Sequence, residues 1–227
     1  MRAAPRSKRR WARLLVRTLL VLAAIPLVLV PAYLVVAPVS TLMIASWIFG
    51  PVQRTWVSLD RIAPALPAAV IMAEDGRFCE HHGVDFTELA KVLDRSRGPN
   101  RGASTVTMQT VKNLFLWSQP LTYLRKALEI PIALYADLVW GKRRTMEIYL
   151  NVVQWGPGIF GAEAASQAYF KRSARDITPV QAALLVAALP NPIERNPARP
   201  DRFLRYRAGT VSSRARMAGG YADCLKP

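Results

Sequence analysis

The 227-residue sequence predicts a mainly α domain behind a single N-terminal transmembrane helix. Two observations predict the anchor. Arg2, Arg6, Lys8, Arg9, Arg10, Arg13 and Arg17 crowd the first seventeen residues with no acid among them, and no charged residue occurs from Thr18 to Gln53. The apolar part of that stretch supplies the ~20 residues a spanning helix needs and exceeds the ~7–15 of a signal-peptide core. A third observation predicts the helical domain: apolar segments recur behind capping residues, and neither an internal repeat nor a series of alternating strands is present.

These features divide the chain into a basic tail (1–17), a transmembrane helix (18–38), an interfacial linker (39–56), a globular domain (57–200) and a C-terminal extension (201–227). The basic tail is expected in the cytoplasm and everything after the anchor beyond the inner face of the membrane. Pro26 and Pro31 would break a soluble helix but are tolerated in a spanning one. The formal net charge of +16 calls for an anionic partner. Much of the excess belongs to the tail, which argues against nucleic acid and for a membrane surface and a phosphate-bearing substrate. Cys79 and Cys224 form no disulfide framework, and whether they pair stays open. With only two His and no Cys-x-x-Cys, a structural zinc site is not expected.

Along the chain, Trp47 and Trp56 suit the linker to an interface, and Ser58–Ile62 reads as a short helical turn. Pro67 is expected as the first residue of a helix reaching about Glu74. The pattern Asp85-Phe86-Thr87-Glu88 opens a helix over Phe86 to about Arg95, and Ser96–Gly102 is a loop rich in breakers. Ser104 is the expected cap of a helix ending near Asn113. Leu114–Trp117, with Leu121, Tyr123 and Leu124, is either core or a surface that dips into the membrane. Further helices are expected over Tyr123–Trp140, Thr145 to about Val153, and Thr178–Leu189, the last from a capping box with Pro179 at its first position.

The stretch Glu74-Asp75-Gly76-Arg77-Phe78-Cys79-Glu80-His81-His82-Gly83 follows the apolar run Ala68–Ala73. A carboxylate ending a buried segment sits half out of water, where it can serve as a base. Arg125 and Glu129 lie four residues apart on one helix face. They are either a surface ion pair worth about half a kcal/mol or the second half of a carboxylate pair, the usual equipment for glycosidic chemistry.

Five segments carry a resemblance. Glu74-Asp75-x-x-Phe78-x-x-His81-x-Gly83, Gly102–Gln109 with Lys112-Asn113, Arg125-Lys126-x-x-Glu129, Glu147-x-Tyr149-Leu150-Asn151, and Ala182–Pro192 resemble, in order, the signatures of the bacterial peptidoglycan glycosyltransferases. They cover about Val57 to Pro197, and the short remainder resembles the monofunctional members, without a transpeptidase domain. The resemblance implies a lysozyme-like, mainly α fold with an apolar jaw on the membrane. It also implies a catalytic domain on the periplasmic side of the inner membrane, where lipid II is joined to a growing lipid-linked glycan. On this basis Glu74 would be the general base and Glu129 a second catalytic carboxylate or the organiser of nearby cations. Lys112, Arg125 and Lys126 would meet the pyrophosphate, while Ser104, Thr105, Gln109 and Asn151 would contact substrate. Phe78, His81 and Gly83 would support the site. No cofactor is required, a divalent cation (Mg or Mn) is compatible, and cell-wall synthesis or division proteins are possible partners. A lytic transglycosylase or a non-catalytic scaffold would use some of the same features, but the cations favour a pyrophosphate donor. Three departures from the family stand out: Met108 where Gln is usual, Gln119-Pro120-Leu121 where many members carry a further Arg, and Cys79 within the first signature.

Overall fold

A computed structural model describes residues 6–93, 104–117 and 120–226. It divides into two units, 1–36 and 37–227. The first holds α1 (Arg6–Ala32), of which Arg9–Ala32 is long and apolar enough to cross a membrane. The helix starts inside the basic tail because Arg and Lys are good helix formers. It contains both Pro26 and Pro31 and ends at Ala32, six residues before the expected end of the span. Leu19, Leu20, Val21 and Leu22 present exposed apolar surface.

The second unit is mainly helical. The linker holds a helix that composition alone did not reveal, α2 (Thr41–Phe49), capped by the Ser40 hydroxyl accepting from the Met43 N–H. The Thr41 hydroxyl lies 3.0 and 2.8 Å from the carbonyls of Asn113 and Leu116, at the far end of α5. A 3-10 turn at Leu59–Arg61 precedes α3 (Ala65–Glu74). That helix begins two residues before Pro67. The first four N–H groups of a helix have no partner within it, so proline fits throughout the first turn.

Next come α4 (Phe86–Leu93), α5 (Val106–Phe115) and the long α6 (Thr122–Val152). The N-cap of α5 is Thr105 and not Ser104; its Oγ1 accepts from the Met108 N–H. Gly141, at φ 64° and ψ 179°, breaks α6 into the two helical stretches that the sequence separates there. A short hairpin, β1 (Gln154–Gly156) and β2 (Ile159–Phe160), was not anticipated. It is followed by α7 (Ala162–Phe170), α8 (Pro179–Ala188), α9 (Arg202–Arg216) and a 3-10 segment at Gly219–Leu225. The capping box of α8 is complete, with Thr178 and Gln181 each satisfying the other's backbone N–H.

Helices α3, α8 and α9 pack together, and α5 packs along α6. The sequence of α3 is almost wholly apolar because it runs through the core: Leu66, Val70 and Ile71 are inaccessible. Around it lie Met146, Tyr149 and Leu150 of α6, Trp155 of the hairpin, and Leu185 of α8. Cys79 and Cys224 are joined in a disulfide that ties the loop after α3 to the C-terminal segment. The aromatic cluster divides into a buried and an exposed part. Leu114 and Leu116 are buried, whereas Leu121, Tyr123 and Leu124 are exposed along with Ile44, Trp47, Ile48 and Phe49 of α2. Gln119 and the loop at Ser96–Gly102 lie outside the described residues, as does the expected end of α4 near Arg95.

Candidate active site

The buried apolar run of α3 carries Glu74 to the helix end, where it emerges half-buried. The next residue fixes its surroundings. Asp75 is buried, and its carboxylate receives the Val106 N–H at 2.9 Å and lies 2.9 and 3.0 Å from Nε2 of His81. An anion is stabilised at a helix N-terminus, so Asp75 locks the end of α3 to the start of α5. The buried His81 therefore holds the loop through Asp75 and does not open onto solvent. Phe78 is inaccessible beneath it, with the Lys142 ammonium 4.9 Å from its ring centre. Lys142 also donates to the His81 carbonyl and, at 2.7 Å, to Asp137.

Gly83 closes the loop at φ 82°, and a Cβ there would come within 2.4 Å of the Ala133 carbonyl oxygen. Only glycine allows this approach to α6. The Gly83 carbonyl accepts the Thr105 hydroxyl at 2.6 Å. Thr105 is thus a buried clasp between loop and helix, with its oxygen used in both directions.

Glu74 opens onto a cavity of about 340 Å³ lined by Ala73, Asp75, Gly76, Arg77, Asp85, Glu88, Ser104, Thr105 and Gln109. Gln109 donates through Nε2 to Oε2 of Glu74 at 3.1 Å and accepts at Oε1 from the Tyr149 hydroxyl at 3.2 Å. Arg77, Asp85 and Glu88 were not singled out from the sequence as site residues. Their signal there was weak because Asp85 and Glu88 read as capping residues, and Asp85 does accept the Glu88 N–H at 3.0 Å. Tyr149 lies within the fourth signature, where the resemblance implies no role for it.

The second charged group lies between α5 and α6. Glu129 and Arg125 are buried and paired, so the surface ion pair is ruled out as a description. Burial raises the Glu129 carboxyl above its ordinary range, opposed by the charges of Arg125, Lys112 and Lys126. Burial lowers the Lys112 ammonium, with Glu129 and Glu74 pulling it back up and Arg125 and Lys126 adding to the fall. Lys112 therefore sits within electrostatic reach of both glutamates. Gln109 and Lys112, three residues apart on α5, share a face.

Asn151 is a correction. It is wholly buried, accepting the Val57 N–H at 2.9 Å and donating to the carbonyls of Val57 and Glu147 at 2.8 Å each. Glu147 receives the Leu59 N–H at 2.9 Å. The fourth signature is thus a clamp that pins the segment before α3 to α6, because buried backbone groups without strand partners require side-chain ones. Among the described residues, no three Asp, Glu, His or Cys side chains converge as a metal-ligand set, and Glu129 is already taken up by Arg125.

A family model described as Transglycosylase matches residues 42–216. The chain belongs to the transglycosylase family. It is similar to the biosynthetic peptidoglycan transglycosylase of Brucella suis biovar 1 (strain 1330), with 54% identity over 92% of this chain and 96% of the relative. The protein of the same name from Mesorhizobium japonicum is 52% identical over 97% of this chain and 96% of its own length. That from Agrobacterium fabrum is 48% identical over 96% and 98%. The mainly α, lysozyme-like transglycosylase fold accounts for the architecture described above. Met108, which the resemblance marks as a departure, is buried at 2% exposure and is not among the residues lining the cavity.

Proposed function

We propose that the protein is a peptidoglycan polymerase that elongates glycan chains from lipid II for cell-wall synthesis. The observation that carries this reading is Glu74 at the end of a core helix, facing a cavity and held by one donor from Gln109, with the buried Glu129–Arg125 pair and Lys112 as the charged groups of α5 and α6. One end of the site can take a proton, and the other can receive negative charge. In the reaction Glu74 accepts the proton of the acceptor's 4-hydroxyl. The oxygen attacks the donor's anomeric carbon from the face opposite the leaving group, and a β-1,4 bond forms with inversion. The C–O bond to pyrophosphate breaks, and undecaprenyl pyrophosphate departs with the electron pair.

A hydroxyl is a poor nucleophile, and a positioned base contributes roughly 10²–10⁴-fold. Cations placed where charge develops lower the barrier further, a role for Lys112, Arg125 and Lys126. Glu129 arranges these cations and does not exchange a proton with substrate. Ser104 and Gln109 line the path of the sugar. Helix α1 anchors the chain in the inner membrane with the domain on the periplasmic side, and the exposed apolar residues of α2 and early α6 suit contact with the lipid surface that delivers the substrate.

The test is incubation of the detergent-solubilised full chain with labelled lipid II beside Glu74→Gln. Polymer from the wild type and none from the variant is expected. Equal polymer from both would remove Glu74 as base. Degradation of purified cell wall without lipid II would replace polymerisation with lytic chemistry.

A further inference from the structure

Gln109 carries an amide that can turn either end towards Glu74, and the two ends have opposite effects. An NH2 facing the carboxylate stabilises it as an anion and an acceptor, whereas a C=O facing it favours the protonated acid, which cannot serve as a base. The surroundings decide between them. Tyr149 is wholly buried, and its hydroxyl has one hydrogen-bond partner among the described residues, Oε1 of Gln109 at 3.2 Å. Turning the amide over would leave the phenolic proton buried without an acceptor, which is unfavourable.

We infer that Tyr149 is a positioning residue for catalysis, acting through Gln109 to keep an N–H donor on Oε2 of Glu74 and leave Oε1 free to take the substrate's proton. This rests on the base role of Glu74 proposed above. Three observations support it. The chain of bonds is continuous, 3.2 Å from Tyr149 to Gln109 and 3.1 Å from Gln109 to Glu74. Among the described residues Oε2 is the only oxygen of Glu74 with a hydrogen bond, so Oε1 is the open one. Burial first, and then the charges of Glu74 and Asp75, push the Tyr149 phenol far above the ordinary tyrosine range, so it remains a donor at every working pH. The other charged groups around Glu74 are Asp75 and Arg77 on its own loop, Asp85 and Glu88 across the cavity, and Lys112 on α5. Among the described residues the side-chain partners of the Gln109 amide are Glu74 and Tyr149, so it is Tyr149 that keeps the N–H end on Glu74 when that carboxyl is protonated.

The experiment is the pH profile of kcat/KM for polymerisation of lipid II, whose acid limb reports the free enzyme's base. Tyr149→Phe removes only the hydroxyl. Its acid limb is expected to move up by roughly half to one pH unit. Gln109→Leu removes the amide donor itself and is expected to move it at least as far. The double variant should move it no further than Gln109→Leu alone, because Tyr149 acts only through the amide. A purely structural role for Tyr149 would lower Tm and activity without displacing the limb. Coincidence of the wild-type and Tyr149→Phe limbs, or an unmoved limb in Gln109→Leu, overturns the inference, and the second arm holds even if Tyr149→Phe does not fold. Failure of the base assignment is separately visible, since Glu74→Gln would then retain activity.

Discussion

Glu74 and Glu129 are the same residue type, both felt electrostatically by Lys112, and the structure gives them opposite surroundings. Glu74 ends a core helix, faces a cavity and is held by one amide donor, with an oxygen to spare. Glu129 lies mid-helix at 1% exposure, bound to an arginine that is itself buried. A base must exchange a proton with something that arrives from outside, and Glu74 can do so. A carboxylate locked against a guanidinium serves better as a fixed charge that balances and orients cations. Under the function proposed above, the paired-carboxylate picture drawn from residue types divides into one acid-base group and one electrostatic scaffold.

The largest effect that would break this comparison is the activity of the two glutamine variants. Glu74→Gln is expected to lose roughly 10²–10⁴-fold in kcat while its melting temperature stays close to wild type. If Glu129→Gln shows the larger loss at unchanged stability, the roles are reversed. Stability provides the converse. Glu129→Ala strands a buried Arg125 and is expected to cost about 3–5 kcal/mol, read by urea unfolding. The double replacement Arg125→Met with Glu129→Leu should recover most of that, because two apolar residues have no desolvation penalty. Failure to recover would mean that the pair specifies the packing of α5 on α6 and is more than a balanced charge.

The pH dependence of stability sharpens the same contrast. Burial raises the folded-state pKa of Glu129 above its unfolded value. The folded chain then holds that proton more tightly. The stability this contributes is present below the unfolded value, about pH 4.3, and is lost as pH rises through the raised folded one. The wild-type stability minus that of Glu129→Gln should decline as pH rises over that window; a flat or rising difference would contradict the sign. The smallest effect concerns Asn151. Asn151→Ala leaves the Val57 backbone groups unpaired and should cost about 1–3 kcal/mol of stability, while KM for lipid II in the folded fraction is unchanged. A raised KM without loss of stability would return Asn151 to the binding surface.

Much of the site was legible because its parts are local. A capping pattern, a proline at a helix start and a run of apolar residues ending in Glu74 each depend on neighbours in sequence, and the helices α5, α6 and α8 follow from them to within a few residues. Elements whose reason is distant were not legible. Helix α2 looked like a linker because its stabilising contacts, from Thr41 to the carbonyls of Asn113 and Leu116, span more than seventy residues. Asn151 looked like a binding residue because a polar side chain within a signature has two readings, and only burial chooses between them. The pairing of Cys79 with Cys224, 145 residues apart, has no local signal at all.

The amino-acid sequence by itself determined the long apolar N-terminal helix, the helical class, the family and the place of Glu74 at the end of an apolar run. The helices rest on composition and periodicity and the family on the resemblance of five ordered segments, and both travel with the chain. Tertiary structure alone decided that Glu129 is buried with Arg125, that Asp75 and not Glu74 joins His81, and that Tyr149 reaches Glu74 through Gln109. Each of these depends on which charged or polar groups lose water together when α3, α5 and α6 meet, and desolvation is a property of the packed fold.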